Sequence, residues 1–541
     1  MDNKTLPDTI VHYYNGEKIT LQVAKNTVHV KSPPEKFKSA LYGATGARDV
    51  SFPKSMDGVF SNIDLLPDGI QIEHIRPVNI EANDVVVWFS DRLEPETLHG
   101  LFSEFQITDF DYTFSHENQS YLGKGAVLLY TSLDITQELL EQSCPALENI
   151  ESESWTIIKS EIVDNLFIAQ FKNHFIANKI YAHLYINRPD WLLCVDMNYY
   201  TFDSGVNRLN YDYSTDLIES TQLPDQEAYS RTKTFEAHQH FSGHPDIKIA
   251  IFDTGIYDNH PDLLGASITG TGHNLVPLNN RIHDLIDIVR PSKYNTHGTN
   301  CAGLACGHPS DSQGKGVVGV GKGCSFVDVR IGYNIDGELH LDMLRLIEAF
   351  YISGFGDNAV HVISCSFKLT LGFECLERII DKIVNEGRDN NGVSVVFAAG
   401  NDDSSITFPA MLDSIITVSA SDNQNKPKTK QVQTEENNED WGSNFGAKVD
   451  LAAPGTGLIT TSNPIVTYGN PKGYRKNFNG TSAAAPQVAG CIGLMLSKKT
   501  DLKPKRIKEL LRDNTSSFKG ENNQKYGTGI LNVYKTLLAI N

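Results

Sequence analysis

The stretch that decides the fold reads Asn479-Gly480-Thr481-Ser482-Ala483-Ala484-Ala485-Pro486. It is followed by an apolar run in which Val488, Ile492 and Leu496 recur at helical spacing, so a helix is predicted to begin close to Ser482. Free N–H groups and the dipole at a helix N-terminus favour negative charge. Ser482 is therefore a candidate nucleophile whose own N–H faces a developing oxyanion, and its alternative role is that of an ordinary N-cap serine.

Three further polar side chains occupy positions where strands end or helices begin. Asp253 follows the apolar segment 247–252, and Asn401 follows a second apolar segment, 393–400. His297 comes just before an Ala- and Gly-rich run that can form a closely packed helix. An aspartate can orient an imidazole, an imidazole can take a serine proton, and an amide can donate to an oxyanion. Taken singly, the three residues also fit a turn aspartate, a structural histidine and a Gly-Asn turn.

Together with Ser482, these residues belong to four motifs that resemble those of the subtilisin-like serine proteases. The motifs are Asp253-Thr254-Gly255 with His260-Pro261-Asp262-Leu263, His297-Gly298-Thr299, Ala398-Ala399-Gly400-Asn401, and Gly480 to Pro486. Their order along the chain, Asp then His then Ser, is that of subtilisin. The resemblance covers roughly residues 240–541, and Cys301 and Gly319-Val320-Gly321 add features similar to the proteinase K and kexin branches.

The resemblance implies an α/β fold with a mostly parallel seven-stranded sheet and helices on both faces. It also implies a serine endopeptidase, a hydrolase of peptide bonds, in which Asp253 orients His297, His297 is the general base and Ser482 attacks the carbonyl. Asn401 and the Ser482 N–H then form the oxyanion hole. Two alternatives remain open: a transpeptidase that passes the acyl group to an amine, and a non-catalytic binding protein on a protease scaffold.

The same resemblance predicts how a peptide substrate binds. The substrate adds as a strand, through main-chain hydrogen bonds, between Ser364–Phe367 and Phe397–Gly400. The predicted contacts are Ser364, Cys365, Ser366, Phe367, Ala398, Ala399 and Gly400. Lys368 replaces a glycine that is common in the wider family, so an altered groove is expected.

No cofactor is predicted for the chemistry, but the resemblance implies a structural calcium ion. Asp262 matches a position that binds calcium in kexin-like relatives, and the oxygen-rich loop Gly307 to Val318 is its predicted partner. The alternative is a solvated polar loop. The eight cysteines lie mostly in apolar segments without metal-ligand spacing, so buried free thiols are expected.

The chain divides into four predicted regions. Residues 1–80 are rich in β-strands, residues 81–202 have α+β order, residues 203–240 form a polar linker, and residues 241–541 form the catalytic domain. The order of strands and helices between residues 84 and 155 suggests an α+β sandwich of the ferredoxin type. Members of the resembled family commonly carry a small inhibitory prodomain, so the N-terminal region is predicted to be an intramolecular inhibitor within a zymogen, with an additional recognition part.

Composition limits the partners of the chain. Its 541 residues carry a formal net charge of -19, which argues against nucleic acid and leaves a protein or peptide substrate as the predicted partner. No apolar run reaches the length of a membrane-spanning helix, and the first residues lack the apolar core of a signal peptide. The N-terminus therefore predicts a cytoplasmic location, whereas the family resemblance favours secretion.

Overall fold

Two sheets dominate the fold, one in each half of the chain. The computed structural model describes residues 9–30, 72–79, 84–89, 110–116, 119–147, 150, 154–172, 174–203, 226–267, 273–274, 296–309, 316–335, 338–430, 441–463, 473–519 and 524–540. None of the helices in these ranges is long and apolar enough to span a membrane.

The N-terminal half is a long antiparallel sheet that carries helices. Its elements are β1 (Thr9–Tyr14), β2 (Glu17–Val30), β3 (Ile72–Asn79), β4 (Asp84–Phe89), β5 (Phe110–His116), β6 (Gln119–Thr131), α1 (Gln137–Ser143), β7 (Trp155–Lys159), β8 (Leu166–Phe171), α2 (His174–Ile186) and β9 (Leu192–Asp203). The elements from β6 to β9 follow the order βαββαβ, and their strands lie side by side as β9–β6–β8–β7 with each pair antiparallel. This is a ferredoxin-type arrangement.

The ferredoxin-type sandwich therefore exists, but it lies further along the chain than the pattern of residues 84–155 indicates. It spans residues 119–203, which we call the N-terminal module. β4 lies outside the module, because it pairs with β2 and β3. β2 also pairs with β5, so the regions 1–80 and 81–202 contribute strands to one sheet. Pro95 predicts the start of a helix within residues 84–155, and this predicted helix lies outside the described residues.

The C-terminal half is built on a parallel sheet. Its elements are α3 (Ala228–Arg231), α4 (Thr234–His238), β10 (Lys248–Asp253), β11 (His273–Asn274), α5 (His297–Cys306), β12 (Ser325–Arg330), β13 (Gly332–Ile335), β14 (Glu338–Asp342), α6 (Met343–Gly354), β15 (Val362–Cys365), α7 (Glu374–Asn390), β16 (Ser394–Ala398), β17 (Ile416–Ser421), β18 (Leu451–Pro454), β19 (Leu458–Thr461), β20 (Tyr474–Phe478), α8 (Thr481–Lys498), α9 (Pro504–Asp513) and α10 (Val533–Leu538). Seven strands lie in the order β11–β12–β10–β15–β16–β17–β18, and each neighbouring pair is parallel. The predicted seven-stranded sheet is confirmed.

Helices cover both faces of this sheet, as predicted. Ala250 and Phe252 of β10 share a core with α6 and α7, whereas Ile249 and Ile251 share a core with α5 and α8. Successive side chains of a strand point to opposite faces, so a strand covered on both faces is apolar throughout. The arrangement leaves the carboxyl ends of the strands as the edge where a site can form.

A hairpin of the C-terminal half joins the N-terminal sheet. β13 pairs with β14, and β14 pairs antiparallel with β9, with Leu339 opposite Asp203 and Asp342 opposite Tyr200. β14 leads directly into α6. The last strand of the N-terminal module therefore lies beside the start of a helix that covers the parallel sheet.

Two side chains of β9 cap helices of the C-terminal half. Asp196 accepts the backbone N–H groups of Glu374 at 3.2 Å and Cys375 at 2.6 Å, both in the first turn of α7. Asn198 Oδ1 accepts the N–H of Leu344 at 3.2 Å in the first turn of α6. These N–H groups lack a partner within their own helix, so each capping side chain contributes about 1 kcal/mol to docking.

The structure differs from the predicted linker 203–240 in the last part of that range. Residues 226–240 contain α3 and α4, and Tyr229 is completely buried among residues of the C-terminal half. The carbonyl oxygen of Thr232 accepts the N–H of Val533 at 2.8 Å. This segment packs against the catalytic half because its apolar side chains complete that core, and residues 204–225 lie outside the described ranges.

Candidate active site

The predicted base and its orienting carboxylate lie in contact at the carboxyl end of β10. His297 Nδ1 is 3.0 Å from Asp253 Oδ1 and 2.8 Å from Oδ2. The N–H of Thr254 donates to Asp253 Oδ1 at 2.8 Å, which fixes the carboxylate. A side chain at Gly298 would place its Cβ 2.5 Å from the carbonyl oxygen of Gly255, so the close approach of α5 to this turn requires glycine after the histidine.

The predicted nucleophile lies in the first turn of α8. α8 begins at Thr481, after Gly480 with φ of 109°, so the N–H of Ser482 is one of the amides without an acceptor in its own helix. Cys301 Sγ lies 3.9 Å from His297 Nδ1 and 3.5 Å from the carbonyl oxygen of Ser482. One sulfur atom therefore contacts both the imidazole of His297 and the main chain of Ser482.

The predicted oxyanion donor is oriented by the residue that precedes the serine. Asn401 Oδ1 accepts hydrogen bonds from the backbone N–H of Thr481 at 2.8 Å and from its hydroxyl at 2.9 Å. A Cβ on Gly480 would lie 3.3 Å from Asn401 Nδ2, so the amide nitrogen lies over the glycine turn. The same Cβ would lie 3.7 Å from the backbone N of Ser482, so both amides lie next to this turn.

The environment of His297 changes its acidity. Burial alone would lower the pKa of the imidazole, but the adjacent Asp253 carboxylate outweighs burial and holds the pKa of His297 well above its ordinary value. Cys301, also in contact, remains a thiol because burial raises its pKa. The carboxylate thus stabilises the imidazolium that a general base forms during the reaction.

This environment predicts the pH dependence of the reaction. We expect kcat/KM for an uncharged peptide to rise with pH through an apparent pKa above about 6.5, because only the neutral imidazole can take a proton. Asp253→Asn should move this limb to lower pH and reduce kcat by about 10⁴-fold. Rate profiles of both proteins measure the two effects, and a wild-type limb near pH 5 would contradict the expected direction.

The predicted substrate contacts Ser364 and Cys365 need correction. Each is paired with β10 on one side and with β16 on the other, Ser364 opposite Ile251 and Val396, and Cys365 opposite Phe252 and Phe397. A strand paired on both sides has no free backbone groups for a further strand. These two residues therefore build the interior of the sheet, and they cannot take a substrate strand.

The remaining predicted contacts lie where β15 and β16 stop pairing. The last residues that pair between β15 and β16 are Cys365 and Phe397. Beyond this pair, one segment contains Ser366 and Phe367, and the other contains Ala398, Ala399 and Gly400. Ser366 Oγ donates to the carbonyl oxygen of Ser482 at 3.4 Å. Gly400 already has partners for its main chain, because its N–H donates to Thr481 Oγ1 and its carbonyl oxygen accepts from Asn444.

An ion pair links the two segments that follow these strands. Lys368 Nζ lies 2.5 Å from Asp402 Oδ2, with Lys368 after β15 and Asp402 directly after Asn401. The lysine side chain is mostly buried, whereas the aspartate side chain is 44% exposed. An altered groove is predicted at Lys368, and the structure places an ion pair there, next to the predicted oxyanion donor Asn401.

Asp262 is not part of this cluster. Its carboxylate is buried, and Oδ2 accepts the N–H of Val317 and the O–H of Tyr474, both at 2.8 Å. Calcium takes six to eight oxygen ligands, whereas the described neighbours of Oδ2 are hydrogen-bond donors. The described surroundings do not by themselves make a calcium site, and residues 310–315 of the predicted partner loop lie outside the described ranges. Calcium at Asp262 stays a prediction.

Sequence reasoning assigned no place in the site to two side chains. Cys301 follows His297 by one helical turn, a spacing that places both on one face of α5 and could have identified the contact. Asp328 Oδ2 accepts the N–H of Ile256 at 2.8 Å, and burial raises the pKa of Asp328 well above its ordinary value. In the sequence, Asp328 could have been noticed as the single acidic residue of the segment that forms β12. In the described ranges, the side-chain ligand atoms of Asp253, His297 and Cys301 lie within 4.8 Å of one another.

Comparisons with known proteins agree with this arrangement. A family model described as the subtilase family matches residues 244–529. Thermitase of Thermoactinomyces vulgaris is 32% identical over 253 residues, which is 46% of this chain and 75% of thermitase. Subtilisin NAT of Bacillus subtilis subsp. natto is 28% identical over 342 residues, 61% of this chain and 77% of that protein.

Solved structures show the same fold. Fervidolysin from Fervidobacterium pennivorans, a keratinolytic enzyme related to subtilisin, superposes with a TM-score of 0.57 at 18% identity over 79% of this chain and 62% of its own. The epidermin leader peptide processing serine protease from Staphylococcus aureus gives a TM-score of 0.52 at 19% identity over 78% of this chain and 99% of its own. The family match covers more than half of the chain and includes Asp253, His297, Asn401 and Ser482. The chain therefore belongs to the subtilase family and is a subtilisin-like serine endopeptidase.

Proposed function

We propose that Ser482 is the nucleophile of this peptidase, that His297 is its general base, and that Asp253 orients the imidazole. The observation that carries the proposal is the chain of contacts from the Asp253 carboxylate through His297 and Cys301 to Ser482. Because Asp253 holds Nδ1, Nε2 is the ring nitrogen left to take the serine proton and return it to the leaving amine.

In the same proposal Asn401 and the N–H of Ser482 form the oxyanion hole. The hydrogen bonds from Thr481 to Asn401 Oδ1 support this role, since they commit the amide oxygen and direct the N–H2 group elsewhere. Donors fixed before the reaction cost no reorganisation when negative charge develops on the substrate oxygen.

The peptide substrate is proposed to lie extended between Ser366–Phe367 and Ala398–Ala399. The end of the β15–β16 register at Cys365 supports this position, because two segments that diverge from a paired region can accept a strand between them. The ion pair of Lys368 and Asp402 would then flank the substrate residue whose carbonyl is attacked.

Removing the lysine is expected to change specificity at that residue, P1. In Lys368→Ala, Asp402 loses its cation, so kcat/KM for peptides with Lys or Arg at P1 should rise up to about 5-fold relative to leucine, the range of a partly exposed ion pair. P1-varied fluorogenic peptides measure the ratio. Lys382→Ala is the control, since Lys382 pairs with Glu386 on α7 at 3.1 Å, and an equal change there would exclude a local effect.

We further propose that the chain is made as a zymogen and that the N-terminal module is its inhibitor. The capping contacts of Asp196 and Asn198 and the pairing of β9 with β14 support this, because they hold the module on α6, α7 and β14 of the catalytic half. Release of the module would then be part of activation.

Incubation of the purified chain tests the inhibitory role. The wild-type protein and Ser482→Ala are followed over time by mass spectrometry and by peptide hydrolysis. The proposal expects a lag in wild-type activity that ends as the chain is cut between residues 155 and 245, and no cut in the variant. A wild-type chain that stays intact and hydrolyses peptide at its full rate from the start would refute the inhibitory role.

Weakening one helix cap should shorten the lag. Asp196→Ala removes the acceptor for two N–H groups of α7, so the docked module should lose about 1–3 kcal/mol, and the melting temperature should fall. The lag of the activity trace and a thermal melt measure the two effects. Asp134→Ala is the control, because Asp134 is an exposed partner of Lys159 elsewhere on the module, and a similar change there would point to general destabilisation.

A further inference from the structure

Two cysteines meet between the N-terminal module and the catalytic half. Cys194 lies on β9, and Cys375 lies in the first turn of α7, next to the N–H groups that Asp196 caps. Their sulfur atoms are 3.1 Å apart, although 181 residues separate them in sequence. Both side chains are about 1% exposed, and both residues are free thiols. A disulfide bond is about 2.05 Å long, so the two sulfurs need to approach by only about 1 Å.

A cavity reaches one cysteine of this pair. It has a volume of about 600 Å³, and Cys194 lies in its wall. Cations and carboxylates line the same wall, among them Arg188, Arg378, Glu374 and Glu377. A small disulfide that carries both ammonium and carboxylate groups, such as oxidised glutathione, matches this mixture of charges.

We propose that Cys194 and Cys375 form an oxidation site whose substrate is a low-molecular-weight disulfide. Cys194, as the residue in the cavity wall, attacks one sulfur of the small disulfide, and its S–S bond breaks to release one thiol. Cys375 then attacks Cys194 Sγ in the mixed disulfide and releases the second thiol. Two protein thiols are oxidised to one disulfide, the small disulfide is reduced to two thiols, and the two protein protons end on those thiols.

The order of the two steps follows from their surroundings. Burial raises the pKa of the Cys375 thiol well above its ordinary value, with the neighbouring Cys194 and Asp196 acting in the same direction. A thiol that resists ionisation is a poor first nucleophile, and its contact with Cys194 makes it the resolving partner instead.

The product would join β9 to α7 by a covalent bond. If the module is the inhibitor, as in the proposed function, this bond keeps the module on the catalytic half even after the connecting chain is cut. Oxidation would then hold the peptidase inactive, and reduction would permit release. The oxidation site itself does not depend on that role.

The experiment uses the full chain carrying Ser482→Ala, so that self-cleavage does not interfere. The protein is incubated with oxidised glutathione, remaining thiols are blocked, and peptides are analysed by mass spectrometry without reduction. We expect a cross-linked peptide pair containing Cys194 and Cys375, which disappears after reduction and is absent from Cys194→Ser and from Cys375→Ser. Cys491→Ser, which removes a buried thiol in α8, is the control that should keep the cross-link.

Two outcomes would overturn the oxidation site. One is a native protein, shown by an unchanged thermal melt, in which no cross-link forms at saturating oxidised glutathione. The other is a mixed disulfide on Cys194 that Cys375 never resolves. The regulatory consequence has a separate readout in the Ser482-containing chain, where oxidation should lengthen the activation lag at least 10-fold and a phosphine reductant should restore it. A cross-link that forms without any change in the lag supports the site and counts against the inhibitory module.

Discussion

Ser482→Ala is expected to reduce kcat for a peptide substrate by about 10⁶-fold, the loss known for the nucleophile of subtilisin, a member of the same family. In the proposed mechanism this hydroxyl forms the acyl-enzyme, so its removal stops the covalent step. KM should change little, because the peptide binds mainly through its backbone. End-point assays of fluorogenic peptide hydrolysis and labelling by a fluorophosphonate probe measure the loss. Both the hydrolysis and the probe labelling should disappear in the variant.

Ser497→Ala is the matched control for this substitution. Ser497 lies on the same helix, α8, and its hydroxyl donates to the carbonyl oxygen of Gly493 at 2.8 Å. This variant should keep near wild-type kcat and full probe labelling. Labelling that persists in Ser482→Ala, or a loss of only 10-fold, would assign the nucleophile to another residue.

Asn401→Ala is expected to reduce kcat by about 10²–10³-fold, equivalent to about 2.7–4 kcal/mol of transition-state stabilisation. The amide donates to the substrate oxygen mainly when that oxygen carries charge, so KM should stay within about 3-fold of the wild type. Steady-state kinetics separate kcat from KM. A rise in KM at unchanged kcat would show that Asn401 binds the ground state and is not an oxyanion donor.

The contact between Asn401 and Thr481 needs its own control, since Asn401→Ala also removes an acceptor from the serine turn. Thr481→Val deletes the hydroxyl, which donates to Asn401 Oδ1 and accepts the N–H of Gly400, and keeps the backbone N–H that donates to Asn401 Oδ1. Its effect on kcat should be much smaller than that of Asn401→Ala. Equal losses in the two variants would attribute the effect to the shape of the turn.

The predicted catalytic residues were accessible to sequence reasoning because each lies at one end of a regular element. Asp253 is the last residue of an apolar strand, His297 is the first residue of a helix, and Ser482 is the second residue of another helix. Parallel strands bring such ends to one edge of a sheet, so positions far apart in the chain could be expected to meet. The identities of these residues at these positions carry the resemblance to the subtilisin-like serine proteases.

Long-range pairing was the part that sequence could not supply. The sequence around the predicted substrate contacts Ser364 and Cys365 does not tell a central strand from a strand at the edge of a sheet. Only the pairing of β15 with β10 and with β16 shows that both of its sides are occupied. The pairing of β14 with β9 joins residues more than 130 positions apart, and no alternation of side chains encodes such a partner. The contact of Cys194 with Cys375 is hidden for the same reason.

The hairpin of β13 and β14 would have a consequence for the protein if the N-terminal module is released, as in the proposed function. β14 would lose its hydrogen-bonded neighbour β9 and present a row of unsatisfied amide and carbonyl groups to solvent. Exposed edges of this kind recruit extended chains, including other copies of the same protein. Maturation would therefore create a second place where an unfolded polypeptide can be held, together with a tendency of the mature enzyme to self-associate at high concentration.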